Sequence, residues 1–134
     1  MQGREIKFEC IYRPTKEKFV PAKVDFVNRD VYGDFDGEKY ARCYYSTEPD
    51  GYGDAWLRQF TGLHDKNGKE IYEGDHMYAS GNLYGEEYIG TVVWDKDDAR
   101  FEVVGLHGRF EYIPDECYVK GNIYENPELL EVGK

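Results

Sequence analysis

The stretch FTGLHDKNGKEIYEGD, Phe60 to Asp75, is too polar for a core and too rich in turn chemistry for a linker. Asn67-Gly68 is the strongest two-residue hairpin signal, because both residues take positive φ readily. Lys69 to Tyr72 then begins a return strand, and Glu73-Gly74-Asp75 turns the chain again before HMYAS. Two tight turns around a short strand account for Gly62, Asn67, Gly68, Gly74 and Asp75. Lys66, Lys69 and Glu70 are left as solvated side chains. A calcium loop does not fit. With Asp65 as the first position, Lys69 falls on a ligand position, Gly68 misses the required glycine position, and His76 stands where the closing glutamate belongs. DKDDARFEVVGL fails in the same way, with Arg100 and Leu106 at those last two places. The reading is structural: these residues turn the chain.

Outward from that stretch the chain is written in strands. EIKFECIYR places Ile6, Phe8, Cys10 and Tyr12 on one face and Lys7, Glu9 and Arg13 on the other. FVPAKVDFVNRDVYG gives one or two short strands broken by Pro21 and Asn28-Arg29-Asp30. A turn at Asp34–Gly37 leads into a strand through Tyr45. EPDGYGDAW, Glu48 to Trp56, is expected to be a loop, since Pro49, Gly51 and Gly53 punctuate it. In the second half EEYIGTVVW, a DKDD turn and ARFEVVGL form a hairpin, followed by GRFEYI and ECYVKGNIY. ENPELL carries a cap at Asn126 and a proline at the first helical position, so a single helical turn is expected there. The fold class is mainly β, with a small barrel or packed sheets in the C-terminal half, a β-rich N-terminal part and little helix. One domain spans 1–134, divided into a β part (1–47), a loop (48–59) and a barrel-like part (60–134).

Composition agrees with this. The chain has 134 residues, 16% of them aromatic, and 13 tyrosines supply most of that share, as half-buried sheet faces favour. The net charge of −10 is uneven: residues 1–60 carry 10 basic and 11 acidic side chains, residues 61–134 carry 7 and 16. Such an acidic half repels phosphate backbones and disfavours direct nucleic-acid binding. Cys10, Cys43 and Cys117 lack metal-ligand or disulfide spacing, and Cys10 reads as a small buried residue. MQGREIKFEC has no apolar signal region, and no apolar run approaches a membrane span.

Candidate chemistry is thin. His64 and His76 each neighbour a carboxylate, Asp65 or Asp75, and would form a metal or acid–base pair only if the hairpin folds them together. No nucleophile elbow, phosphate loop or dinucleotide fingerprint is present. No catalytic, cofactor-binding or metal-ligating residue is therefore assigned, and no enzyme is expected. Trp56, Tyr84, Tyr88, Trp94, Tyr118 and Tyr124 offer aromatic contact area. Trp94 is expected in the core, while Tyr118 and Tyr124 share the face opposite the apolar row of their strand and are the interface candidates.

TGLHDKNGKEIYEGD and the closing GNIYENPELL together resemble the YopX family of phage and prophage proteins. Gly90, Val92 and Trp94 stand where that family has a GxVxW-like core, and IKFECIYRPTKEKF is similar to its opening. His64 replaces a frequent lysine, and His76-Met77 replace a pair of aliphatics. The resemblance implies a β-rich fold with an SH3-like barrel in the C-terminal half, a phage or prophage origin, the cytoplasm of a bacterial host, and oligomers. It implies no activity. The expectation is an accessory protein that self-associates or binds a host or phage protein, without cofactor, nucleic acid or membrane. One alternative is an acidic DNA mimic that occupies a host DNA-binding protein. A more distant one is a hydrolase or metal enzyme using His64 and His76.

Overall fold

The computed structural model describes residues 6–33, 42–48, 51–80, 85–105 and 108–126. The described residues are mainly β, with strands connected by turns and no helix. The turn expected at Asp34–Gly37 and the helical turn expected from Pro127 onward lie outside the described residues, as do Tyr84 and His107. No helix among the described residues is long and apolar enough to cross a membrane. The chain divides into two compact units, Ile6–Gln59 and a second that begins at Phe60.

In the unit Ile6–Gln59, β1 (Phe8–Tyr12), β2 (Lys18–Phe19), β3 (Pro21–Asp25), β4 (Asp30–Gly33), β5 (Cys43–Ser46) and the first half of β6 (Ala55–His64) lie in the order β2-β1-β6-β5-β4-β3. Only Val20 separates β2 from β3, the two ends of that order, so the sheet curls back on itself into a nearly closed barrel. Pro21 opens β3, a position where its missing N–H costs no ladder bond. The expected alternation of β1 holds: Cys10 is in a core with Phe19, Val31, Cys43, Tyr45, Ala55 and Leu57, and Phe8 and Tyr12 pack against it. The opposite face of β1 is covered as well. Ile11 is fully buried, and Arg58, 4% exposed, donates to Glu9 from Nη2 at 2.6 Å.

The loop expected over 48–59 is shorter than the sequence implied, because Ala55–Gln59 begin β6 and pair with β1 from Tyr12↔Ala55 to Phe8↔Gln59. Its residues are buried on both faces, which erases the period-two pattern that marks a half-exposed strand.

In the second unit the rest of β6 pairs with β7 (Glu70–Tyr72). β8 (Asp75–Ser80), β9 (Glu86–Asp95), β10 (Arg100–Gly105), β11 (Gly108–Phe110) and β12 (Tyr118–Asn122) form an antiparallel sheet ordered β11-β10-β9-β8-β12. Ile71, Met77, Val92, Phe101, Val103, Ile113 and Cys117 make its core. Trp94 is not in that core. It pairs with Phe101 one step from the β9–β10 turn, is 42% exposed, and meets the Phe101 ring edge-on at 4.9 Å.

Candidate functional site

The β6–β7 hairpin is organised by Asp65, which the turn signals did not single out. Asp65 Oδ1 accepts from the N–H groups of Asn67 (2.8 Å) and Lys69 (2.9 Å), and Oδ2 accepts from Val119 N–H at 2.9 Å. One carboxylate thus closes the turn and ties it to β12. Burial raises the Asp65 pKa and is the largest influence on it, but the Val119, Lys69 and Asn67 donors together hold it below the usual carboxylate value. Asp–x–Asn–Gly is a legible Asx-turn pattern, so the signal was present in the sequence.

The turn differs in detail from a two-residue hairpin. Gly68 N–H donates to Asp65 O and Asp65 N–H to Lys69 O, so Lys66 and Asn67 occupy the turn centre, and Gly68 is the residue with positive φ, 85°. Gly62 lies within β6, not in a turn, at a register irregularity between Phe60 and His64 with φ 90°. Gly74 has φ 88°, and a Cβ there would stand 2.8 Å from the Tyr124 ring. Asp75 is buried and accepts from Tyr72 N–H at 2.8 Å, closing the second turn.

His64 and His76 belong to different surroundings. His64 is exposed, with its ring 5.7 Å from Phe60. His76 is fully buried, with Nε2 3.2 Å from the Asn126 carbonyl and Nδ1 2.7 Å from Thr91 Oγ1. A carbonyl can only accept, so Nε2 donates to Asn126, while Nδ1 shares a hydrogen bond with the Thr91 hydroxyl. Thr91 Oγ1 is also hydrogen-bonded to Tyr88 Oη at 2.6 Å. This chain joins β8, β9 and the turn after β12, which is structural work.

Of the interface candidates, Tyr124 is 3% exposed. Gly121, at φ 85°, shifts the register of β12 between Val119 and Asn122, so alternation fails beyond that point and Tyr124 turns inward over Gly74. Tyr118 stays half-buried. It stacks on Tyr78 at 6.4 Å, with Lys66 Nζ 5.0 Å from its own ring and Lys120 Nζ 5.6 Å from that of Tyr78. Trp56 is buried in the first unit beneath Lys16 and Arg13.

Large apolar side chains stand exposed in the first unit. Asp25 Oδ1 accepts from Val27 and Asn28 N–H at 3.0 Å each, and Oδ2 accepts from Asn28 Nδ2 at 2.8 Å. These bonds fix the β3–β4 turn with Phe26 60% and Val27 91% exposed. Phe26 meets Phe8 edge-on at 5.7 Å, and Ile6, two residues before the start of β1, is also exposed. Phe26 and Val27 read as strand, so this surface is not legible in the sequence.

A family model described as "YopX protein" matches residues 21–131. Among the solved structures, the crystal structure of protein EF1440 from Enterococcus faecalis is similar, at 26% sequence identity and a TM-score of 0.64. The match covers 96% of this chain and 99% of that one. No protein of curated function matches the chain.

Proposed function

The chain belongs to the YopX family, and we propose that it is a non-enzymatic, phage- or prophage-encoded accessory protein that self-associates in the host cytoplasm. The supporting observation is the apolar tip of the unit Ile6–Gln59, where Phe26 and Val27 project from a turn already fixed by Asp25. Holding two apolar side chains in place before contact removes part of the ordering cost of association. The partner is a second copy, because residues 1–60 are near charge balance while residues 61–134 hold most of the negative charge. Copies that meet through the first unit keep their acidic halves from being pressed together.

The test is sedimentation velocity on the full chain and on Val27→Asp, from roughly 1 µM to 1 mM, which spans association free energies of about 4 to 8 kcal/mol. The wild type is expected to rise above the 15.7 kDa monomer mass, and the variant to stay monomeric. A wild type that remains a monomer across the whole range sinks the proposal.

A further inference from the structure

Glu102 stands on β10 between the core residues Phe101 and Val103, on the other face of the strand, and its side chain is 0% exposed. Oε2 accepts from Arg100 Nε at 2.8 Å. Oε1 is buried and has no hydrogen-bond partner; Arg109 Nε lies 3.4 Å away, outside hydrogen-bond geometry. A carboxylate oxygen at this depth, met inside the chain only by the Arg109 guanidinium at 3.4 Å and the neighbouring Asp95 carboxyl, is incompletely satisfied. One oxygen each from Glu102, Asp95 and Asp98 lie within 4.8 Å of one another, across the β9–β10 turn. Asp95 Oδ1 is already engaged by the N–H groups of Asp97 and Asp98, while Oδ2 faces Arg109 Nη1 at 3.7 Å. Arg100 Nη2 lies 3.4 Å from Asp98 and 3.7 Å from Glu111. Three carboxylates and Glu111 thus face two guanidinium groups.

A water molecule has two protons and cannot serve three converging acceptors at once, whereas a cation can. We propose that Asp95, Asp98 and Glu102 bind a divalent cation of the calcium class, with Arg109 as the side chain that competes for the same oxygens when the ion is absent. The donor set is all oxygen and carboxylate, which suits a hard divalent cation with flexible coordination. Arg109 is 56% exposed and sits on β11, which joins the sheet through β10 alone, so it can withdraw. This is not the twelve-residue calcium loop that the spacing excludes. Its ligands come from both sides of a hairpin turn.

Isothermal titration with CaCl₂ and MgCl₂ in ~0.15 M KCl, where long-range attraction is screened, tests the site on the full chain and on D98N, E102Q and R109Q. One saturable Ca²⁺ per chain is expected, with a Kd of about 10⁻⁴–10⁻³ M, as for weak calcium modules, and weaker Mg²⁺ binding. D98N and E102Q should each weaken Ca²⁺ by about tenfold or more, and R109Q should tighten it. Asp98 is exposed, so D98N remains informative if E102Q fails to fold. Non-saturating heats, or a D98N affinity equal to the wild type, would mean diffuse accumulation on an acidic chain and would overturn the site. An unchanged affinity in R109Q would overturn the competition.

Discussion

Replacing Asp65 should unfasten the second unit. Its carboxylate receives three backbone N–H groups at 2.8–2.9 Å, two from its own turn and one from β12. A hydrogen bond to a charged group contributes about 1.5–3 kcal/mol, and such bonds on one carboxylate do not add fully. Asp65→Ala is therefore expected to cost about 3 kcal/mol at pH 7. Asp65→Asn keeps one acceptor oxygen but turns an NH₂ toward a backbone donor, for about 2 kcal/mol. The sign with pH follows from the lowered pKa of Asp65. Its stabilisation is present above the unfolded value of 3.8 and fades as pH falls through the lower folded value. Urea unfolding of wild type and variants should thus show a gap at pH 7 that narrows below about pH 4. Amide exchange should accelerate first at Asn67, Lys69 and Val119. A variant within ~0.5 kcal/mol of wild type at pH 7, the range of ordinary surface changes, or a gap that does not depend on pH, would refute the role given to this carboxylate.

Gly74→Ala should destabilise the same unit by about 3 kcal/mol, combining positive-φ strain with overlap on a ring that is only 3% exposed; thermal melting reads the loss, and a neutral result would mean that Tyr124 can move aside. In the first unit, burial, the neighbouring Cys43 thiol and Glu9 push the Cys10 thiol from 9.0 to about 12. A raised folded value leaves stability whole below pH 9.0 and erodes it as pH rises toward about 12. Cys10→Ala should be less stable at pH 7 yet lose less of what remains over that alkaline interval, as followed by urea midpoints; parallel profiles would count against it.

The parts of the fold that were legible are those whose alternation or turn signal survives in the sequence. The β1 row of Phe8, Cys10 and Tyr12 alternates and packs as alternation implies, and the β9–β10 hairpin shows itself through DKDD between two apolar runs. Legibility ended where burial erases the period or where a single residue changes the parity. Ala55–Gln59 read as loop because burial on both sides leaves no period. Tyr124 read as a surface residue because the sequence does not announce that Gly121 takes positive φ. Asn67, Gly68, Gly74 and Asp75 stand in or beside turns while Gly62 lies within β6, and Asp65, which holds the hairpin together, read only as a calcium-loop position or a neighbour of His64. In the end its oxygens face N–H groups, not a metal.

That distinction separates the carboxylates of the second half into two kinds. Asp65, Asp75 and one oxygen of Asp95 are each matched by donors from nearby backbone, so their charge is neutralised where it is needed for folding. Glu102 Oε1 and the exposed Asp98 have no such match. Glu102 sits between core residues in a strand where alternation alone predicts a solvated side chain, yet it is fully buried. Composition reports only the total and so makes the whole half look like a uniform acidic face. Geometry shows that Asp98 and Glu102, at one hairpin turn, are met by arginine side chains on exposed stems and not by backbone donors. Among the described residues, Glu102 Oε1 is one of two buried carboxylate oxygens without a hydrogen bond, the other being Asp30 Oδ1 of the first unit. A cation at the β9–β10 turn therefore gains more than the screened surface attraction available at exposed acids.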